Sequence, residues 1–401
     1  MTELCQAPKG KLLLYLPWKF DMLGGVDVVV DRLWNGLEKR FPGMATIGIQ
    51  DWEFQGELAD DQGRRFLHLN LPAPPAAKGR LPLRYLVTLA KRLPILLHEL
   101  QKREIATVNV HFPSLNAYPL ALLKSLGLWK GRIVLSFHGS DVGDIIPTSN
   151  AWKTIAQQTD AITACSAALA QHINKLNLFR QPVKVVHNGI DCEKFLENTD
   201  GATLIDHRPY ILNVGNYVPR KAQDVLLNAF AKVAQKYPEL HIVCVGGTDN
   251  GTWLKYLNEL ADQLKIQTHV TFLENQTQKQ VATLMRNATC LAHTAHNEPF
   301  GLVLIEAGVC GAPIIATRVG GIPEIIPSAE FGFLFEDGDI DGLADSIESL
   351  MCDPEKAKNC ADHFNQRVLT HFSAEIMVSR FIETIDTSAL SLNKASSHFT
   401  T

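Results

Sequence analysis

Two glutamates eight residues apart frame the stretch of this 401-residue sequence with the clearest chemical pattern. Glu298 follows a short apolar run that is predicted to be a strand, and Phe300, Gly301 and Leu302 are expected to open a helix. Glu306 lies inside that helix, roughly 6 to 9 Å below its mouth at a rise of ~1.5 Å per residue. A carboxylate, a set of unsatisfied backbone N–H donors and a second carboxylate therefore follow one another. This order suits a nucleotide-sugar, in which the sugar, the diphosphate and the ribose are arranged in the same sequence.

A structural interpretation of the two glutamates is the alternative. Glu298 could cap the helix, and Glu306 could belong to a solvated helix face. The helix reads Leu-Val-Leu-Ile before Glu306 and Ala-Gly-Val-Cys after it. A charged carboxylate on so apolar a helix is costly unless it has a partner, which favours ligand binding.

A second anion site is expected after a strand predicted over residues 211–214. Gly215 and Asn216 lead from this strand to Arg220 and Lys221, which stand where the next helix should start. The dipole of a helix N-terminus disfavours cations there. A bound anion would offset this unfavourable interaction, so the two side chains are candidates for anion binding. Surface cations are usually just solvated, so this signal is weaker than that of the glutamate pair.

The first half of the chain offers two candidates at the ends of predicted strands. Gly24 and Gly25 follow the first strand, and paired glycines let the backbone approach a ligand closely, although a mobile turn explains them equally well. His138 follows a strand predicted over residues 133–137, where an imidazole could polarise or hydrogen-bond a reacting group. A lone histidine at a strand end is more often structural.

No metal and no other cofactor is expected. Asp337, Asp339 and Asp341 match a D-x-D metal pattern, but they are better explained as turn and helix-capping residues. The eight cysteines form no C-x-x-C pair. Nucleic acid is excluded as a partner because 38 basic residues face 42 acidic ones and no basic run is long enough to track a phosphate backbone.

A cytoplasmic location is expected. The polar start of the chain lacks a signal-peptide pattern, and no stretch stays apolar for the roughly 20 residues that span a membrane. Residues 80–103 mix leucines with arginines and lysines, which leaves a peripheral contact with the inner face of the membrane open. An ordinary amphipathic helix that covers a sheet is the favoured explanation of that stretch.

Short apolar runs alternate with amphipathic stretches along the whole chain, which predicts parallel sheets covered by helices on both faces. Strands are predicted over residues 12–16, 45–49, 66–71, 107–112, 133–137, 161–165 and 183–186, and then over 211–214, 241–245, 270–273, 290–293, 313–316 and 332–335. At 46 % hydrophobic residues, a chain of this length should form two domains. The fold class is α/β, with two doubly wound, Rossmann-like domains facing a central cleft. We expect a first domain over residues 1–205, a second over 206–373, and a final helix with a frayed tail over 374–401. The linker between the two domains is expected over residues 188–208, which lose the apolar periodicity.

The ordered motifs together resemble the family 4 glycosyltransferases, which are retaining enzymes with the GT-B fold. Glu298 to Glu306 closely resembles the E-x7-E signature of that family, and the other matching motifs appear in the order of the family. They are Gly24-Gly25, His138 to Asp141, Cys165 to Ala167, His187 to Asp191, Val218 to Lys221 and Gly320 to Glu324. The resemblance covers the chain from about Lys11 to about Thr384.

The resemblance implies that the second domain binds a nucleotide-sugar donor such as UDP- or GDP-hexose. It implies that Glu298 contacts sugar hydroxyls, that Glu306 contacts the ribose and that Lys221 clamps the diphosphate. Backbone groups at Phe300, Gly301 and Leu302 would meet the sugar and phosphate. The first domain would bind the acceptor, which would be a glycan, a lipid-linked glycan or a small molecule. The last helix of the chain would cross back from the second domain onto the first.

Two catalytic features follow from the same resemblance. Glycosyl transfer would retain the anomeric configuration, with Lys221, Glu298 and the first-domain His138 as catalytic residues. Because no D-x-D site stands in a credible position, Lys221 and backbone dipoles rather than a metal ion are expected to neutralise the diphosphate. Gly25 would approach the leaving diphosphate or the acceptor.

Asn216 departs from the family pattern, because an arginine commonly follows the strand glycine there. Asparagine offers a neutral amide in place of a bidentate cation. Binding of the diphosphate would therefore depend more on Lys221, on Arg220 if it turns inward, and on the helix N-terminus. The alternative function is therefore a catalytically weak, nucleotide-sugar-binding or regulatory subunit with the same fold. The ordered donor motifs argue against a sugar-nucleotide epimerase or a phosphorylase.

Overall fold

The structure is a computed structural model that describes residues 10–20, 24–60, 64–75, 81–196, 205, 209–248 and 250–385. Two compact units divide the chain. Residues up to 189 together with those from 374 onward form the first unit, and residues 190–373 form the second.

The first unit is built on one sheet of eight strands in the described part of the chain. The strands are β1 (Lys11–Leu16), β2 (Ala45–Gln50), β3 (Gly56–Ala59), β4 (Arg65–Leu69), β5 (Ile105–His111), β6 (Arg132–Phe137), β7 (Ala161–Ala164) and β8 (Val183–Val185). The helices are α1 (Gly25–Arg40), α2 (Leu83–Lys102), α3 (Tyr118–Ser125), α4 (Asn150–Gln158) and α5 (Ala167–Lys175). The strand order is β3-β4-β2-β1-β5-β6-β7-β8, and only β3 runs antiparallel to its neighbour. β1 is buried over Leu12–Leu16, as expected of a parallel strand with helices on both faces.

The second unit carries six parallel strands among the described residues, in the order β11-β10-β9-β12-β13-β14. They are β9 (Tyr210–Val214), β10 (His241–Gly246), β11 (Val270–Glu274), β12 (Cys290–His293), β13 (Ile314–Thr317) and β14 (Phe333–Phe335). The helices are α6 (Cys192–Leu196), α7 (Gln223–Val233), α8 (Thr252–Gln263), α9 (Gln278–Asn287), α10 (Leu302–Val309), α11 (Ile322–Ile325), α12 (Ile340–Cys352) and α13 (Pro354–His371).

The last described helix, α14 (Ala374–Ile385), packs on α1 in the first unit. A Cβ added to Gly36 of α1 would lie 2.5 Å from Val378 Cγ2, so the glycine allows the two helices to approach closely. The backbone N–H of Gly189 also lies 3.1 Å from the sulfur of Met377.

The division between the units falls at 189/190, whereas the expected bound was 205/206 in a linker over residues 188–208. Residues at the start of that stretch are held by the second unit. Ile190 N–H donates to the carbonyl of Phe372 at 2.8 Å, and the Arg286 guanidinium donates to the carbonyl of Phe195 at 2.7 Å. Residues 197–204 and 206–208 of the expected linker lie outside the described residues.

The predicted α/β class with two doubly wound sheets is confirmed, and each predicted strand is present to within a few residues. In each sheet the strand order reverses direction at one point, between β1 and β5 in the first and between β9 and β12 in the second. Ligands of such sheets bind at the carboxyl ends of the strands beside this point. The loops after β1, β5, β9 and β12 are therefore the places for chemistry, together with the loop after β6, the neighbour of β5.

Candidate active site

Lys221 and Glu298 meet at the carboxyl ends of β9 and β12. Lys221 Nζ lies 2.7 Å from Glu298 Oε2, and Nε2 of His293, the last residue of β12, lies 3.1 Å from the same oxygen. The Lys221 and Glu298 side chains are only 16 % and 12 % exposed, so water screens this ion pair weakly. The stem of Lys221 lies over Gly215, where an added Cβ would be 3.4 Å from Lys221 Cδ.

The protonation states of this cluster follow from its surroundings. Burial alone would raise the pKa of Glu298, but the His293 hydrogen bond and the Lys221 ammonium outweigh it and hold that pKa well below its ordinary value. Burial lowers the pKa of His293, which outweighs the opposing effect of Glu298. His293 is therefore a neutral imidazole that donates its Nε2–H to an ionised carboxylate. The cluster holds one positive and one negative charge.

Three loops fix the position of these side chains. Thr294 Oγ1 donates to the Lys221 carbonyl at 3.0 Å, which ties the loop after β12 to the loop after β9. Gly321 N–H donates to the Glu298 carbonyl at 3.0 Å. Gly320 has φ +51°, and a Cβ there would lie 2.0 Å from the Glu298 carbonyl oxygen. The loop after β13 can support Glu298 in this way only because position 320 carries no side chain.

The N-terminus of α10 lies directly after Glu298. Gly301 occupies the N-cap position at φ +109°, and no side chain of the described residues caps the helix. Leu304 N–H donates to the Gly301 carbonyl at 3.0 Å, whereas the N–H groups of Leu302 and Val303 have no acceptor among the described residues. Free N–H groups at a helix N-terminus are an anion-binding arrangement. Phe300 is buried, with its ring centroid 5.8 Å from that of Phe372, and Glu306 is half-buried in the second turn of α10.

The basic residues after β9 lie in a turn that directly precedes α7. Pro219–Lys221 form a 3₁₀ turn, and Ala222 adopts φ +48° before α7 begins at Gln223. Arg220 is exposed, and its guanidinium has no ion pair or hydrogen bond within the described part of the chain. The reversal at Ala222 is the physical reason that Lys221 turns toward Glu298 rather than lying along the first turn of α7.

Asn216 is exposed in the loop after β9. Its side-chain oxygen accepts from Gly247 N–H at 3.4 Å, and its carbonyl accepts from Gln223 Nε2 at 3.1 Å. The loop approaches β10 closely, since a Cβ on Gly246 would lie 2.2 Å from the Gly215 carbonyl oxygen. Asn216 thus lies on the surface of the loop that carries Lys221.

The first unit holds the remaining predicted residues. His138 follows β6, and its N–H and that of Gly139 donate to Asp141 Oδ2 and Oδ1 at 2.9 Å and 2.7 Å. Burial lowers the pKa of His138 to about 4, so its imidazole is neutral at pH 7. Gly25 is exposed at the first position of α1, after Gly24 in extended conformation at the N-cap.

His293 was missed by the reasoning from sequence. The only available signal was its position at the end of a predicted strand, five residues before Glu298. Its hydrogen bond to Glu298 depends on how the intervening loop turns back, which residue types and spacing do not specify.

The aspartates of the D-x-D pattern have structural partners. Asp339 caps α12 by accepting from Gly342 N–H at 2.9 Å, which confirms the predicted cap. Asp337 lies 2.6 Å from His296 Nδ1, and Asp341 pairs with Lys232. Within the described residues no three His, Cys, Asp or Glu side chains are grouped as a metal site would require.

Comparisons with known proteins match both halves of the chain. Residues 197–367 match the family described as glycosyl transferases group 1, and residues 23–194 match glycosyltransferase family 4. The chain belongs to family 4 of the glycosyltransferases. This membership confirms the resemblance drawn from the E-x7-E region and the GT-B class of its fold.

Individual relatives and solved structures agree with this family and fold. It is 30 % identical to the N-acetyl-alpha-D-glucosaminyl L-malate synthase of Bacillus anthracis over 71 % of this chain and 75 % of the relative. It is 28 % identical to a GDP-mannose-dependent alpha-(1-6)-phosphatidylinositol monomannoside mannosyltransferase of Mycolicibacterium smegmatis over 60 % of this chain and 67 % of the relative. The crystal structure of Anabaena HepE in complex with UDP has the same fold, with a TM-score of 0.73 at 18 % identity over 93 % of this chain and 99 % of HepE.

Proposed function

We propose that this glycosyltransferase moves a hexosyl unit from a nucleotide-diphosphate-sugar to a hydroxyl of a glycan, a glycolipid or a small molecule, with retention of configuration and without a metal ion. The observation that carries the proposal is the shielded Lys221–Glu298–His293 cluster beside the uncapped N-terminus of α10. It combines a fixed carboxylate, a cation and backbone donors within one edge of the sheet.

Glu298 is suited to hold sugar hydroxyls. Lys221 and His293 both bind its Oε2, and no hydrogen bond to Oε1 is formed within the described residues. An ionised carboxylate only accepts hydrogen bonds, so Oε1 can accept from a hydroxyl while Oε2 keeps the side chain in place. His293 contributes by orientation, because its neutral ring adds no charge to the pocket.

The diphosphate is expected at the N-terminus of α10, within reach of Lys221. The helix dipole and the free N–H groups favour a negative group there, and the diphosphate would share the Lys221 ammonium with Glu298. Glu306, half-buried in the same helix, is the candidate for the ribose hydroxyls.

The favoured reaction is a front-face substitution. The acceptor oxygen forms its bond to the anomeric carbon on the face from which the phosphate departs, and the departing phosphate oxygen takes the acceptor proton. Because the pKa of His138 is about 4, His138 carries a lone pair rather than a charge at pH 7. That lone pair stabilises the positive charge that develops on the sugar.

A donor panel tests the proposal. UDP- and GDP-hexoses are the first choices, since HepE is crystallised with UDP and the mycobacterial relative is GDP-mannose-dependent. Released nucleoside diphosphate is measured with and without acceptor, and NMR of the product gives its anomeric configuration. Glu298→Gln should abolish turnover, while the matched control Glu348→Gln, which removes an exposed partner of Lys236, should not. Tight nucleotide binding without turnover of any donor would favour the binding subunit instead.

A peripheral contact with anionic membrane is a finer part of the proposal. Leu83, Leu86 and Val87 of α2 are exposed beside Arg84 and Lys91. No helix in the described ranges combines the length and the apolar character needed to cross a bilayer. The chain should sediment with vesicles that contain phosphatidylglycerol, and Leu83→Ser with Leu86→Ser should weaken this more than the control Leu126→Ser, an exposed leucine after α3. Equal sedimentation of the wild type, the double variant and the control would refute the proposed membrane contact.

A further inference from the structure

A second histidine lies against His138 in the first unit. His111 ends β5, is 2 % exposed, and places its Nδ1 3.0 Å from His138 Nε2. The two rings are stacked, with centroids 5.3 Å apart and planes 25° apart. The hydrogen bond therefore fixes the orientation of the His138 ring and assigns its Nε2 to His111.

The backbone holds both histidines at adjacent strand ends. His111 pairs with Ser136 in the register of β5 and β6, and Phe112 N–H donates to the Ser136 carbonyl at 3.1 Å. Phe112 adopts φ +53° and Gly139 adopts φ +142°, so the chain turns sharply after each histidine. A bulky residue rarely takes such an angle, and strain of this kind is concentrated at functional sites.

The Nε2 atom of His111, which faces away from His138, bears on which nitrogen of His111 carries the proton. His111 Nε2 is buried and has no hydrogen-bond partner among the described residues. His111 lines a cavity of about 20 Å³ whose wall is mostly apolar but includes Ser136, Thr163 and Asn188. This volume is enough for one water molecule where polar groups meet it. A water there would accept the Nε2–H of His111, which would leave His111 Nδ1 as an acceptor.

We propose that His111 is a positioning residue for glycosyl transfer: it accepts the Nε2 proton of His138 and thereby keeps the Nδ1 lone pair of His138 directed at the reacting sugar. This inference rests on the proposed role of His138. A neutral imidazole has one donor and one acceptor nitrogen, so a proton held on Nε2 leaves Nδ1 as the acceptor. His138 Nδ1 has no partner within the described part of the chain.

Two substitutions at position 111 separate hydrogen bonding from shape. His111→Phe keeps an aromatic ring but offers no acceptor, whereas His111→Asn places an amide oxygen near the position of Nδ1. We expect His111→Phe to lower kcat about tenfold and His111→Asn to retain most of it. The affinity for UDP, titrated by calorimetry, should stay unchanged in both. His172→Phe, which alters an exposed histidine of α5, is the matched control and should leave kcat unchanged.

Nitrogen-15 NMR of the histidine rings gives a readout that needs no substrate. The wild type should show His138 protonated at Nε2, and His111→Phe should change that tautomer population while His111→Asn keeps it. Unchanged kcat in folded His111→Phe, or equal impairment of both variants, would overturn the inference. His138→Ala distinguishes failure of the proposed function from failure of this inference. Full activity of His138→Ala would refute the proposed role of His138 itself. An inactive His138→Ala together with an unaffected His111→Phe would refute only the role of His111.

Discussion

Removing one partner of the Lys221–Glu298 pair should destabilise the second unit strongly. At 2.7 Å and an effective dielectric constant of 20, the attraction between the two charges is about 6 kcal/mol. Part of this offsets the cost of taking both groups out of water, and removing one partner of a buried pair costs about 3–5 kcal/mol. Lys221→Met and Glu298→Gln should therefore each lower the free energy of unfolding by an amount in that range.

The double variant decides whether the loss comes from the unpaired charge. Lys221→Met with Glu298→Gln buries no uncompensated charge, so its loss should be smaller than the sum of the single losses by about 2–3 kcal/mol. Urea unfolding followed by circular dichroism measures all three proteins, and the exposed pair Lys236–Glu348 serves as a control with a much smaller coupling. Strictly additive losses, or a coupling no larger than that of the control pair, would refute the charge-pair reasoning.

The pH dependence of the same pair has a defined sign. The folded-state pKa of Glu298 lies below the ordinary value of 4.5, so the unfolded chain binds its proton more readily. The contribution to stability is then fully present above about pH 4.5 and is lost as the pH falls toward the folded-state pKa. Glu298→Gln should remove this part of the acid sensitivity, and urea unfolding at pH 7 and pH 4 measures it.

Three other outcomes are expected. Asn216→Arg should tighten binding of the matching nucleoside diphosphate about ten- to a hundredfold through a charge-assisted contact, while Lys221→Ala weakens it; equal affinities by calorimetry would place the diphosphate elsewhere. Activity should persist in excess EDTA, and a loss restored by Mg²⁺ or Mn²⁺ would bring a metal back into the mechanism. Gly320→Ala should lower kcat because its Cβ would collide with the Glu298 carbonyl, whereas Gly338→Ala, also at positive φ but with open space around it, should leave kcat unchanged.

The sequence predicted those parts of the structure that depend on local patterns. The strands of the two sheets are apolar runs that are buried on both faces, so they could be predicted. The loop before α10 was predicted from Glu298 and from the glycine at the start of the helix. β3 was missed because it is a four-residue edge strand that is half-exposed and carries no apolar run.

The side-chain contacts of the site could not be predicted because they cross between strands. His293 and Glu298 meet only after a loop folds back, and His111 meets His138 only through the register of β5 and β6. Residue spacing along the chain carries no information about such contacts. It identified Glu298, Lys221 and His138 as candidates but not the two histidines, His293 and His111, that contact them.

The charge balance of the second unit bears on the substitution at Asn216. Lys221 and Glu298 neutralise each other, and His293 is neutral, so the cluster brings no net positive charge to a diphosphate. A bound donor must therefore share the Lys221 ammonium with Glu298, and the α10 N-terminus supplies only a partial charge of about half an elementary unit. An arginine at position 216 would add a full charge that no carboxylate of the cluster already uses. We therefore expect weaker donor binding with Asn216 than with an arginine at that position. Asn216→Arg separates two possibilities: an enzyme with modest donor affinity, and a protein that binds its nucleotide elsewhere.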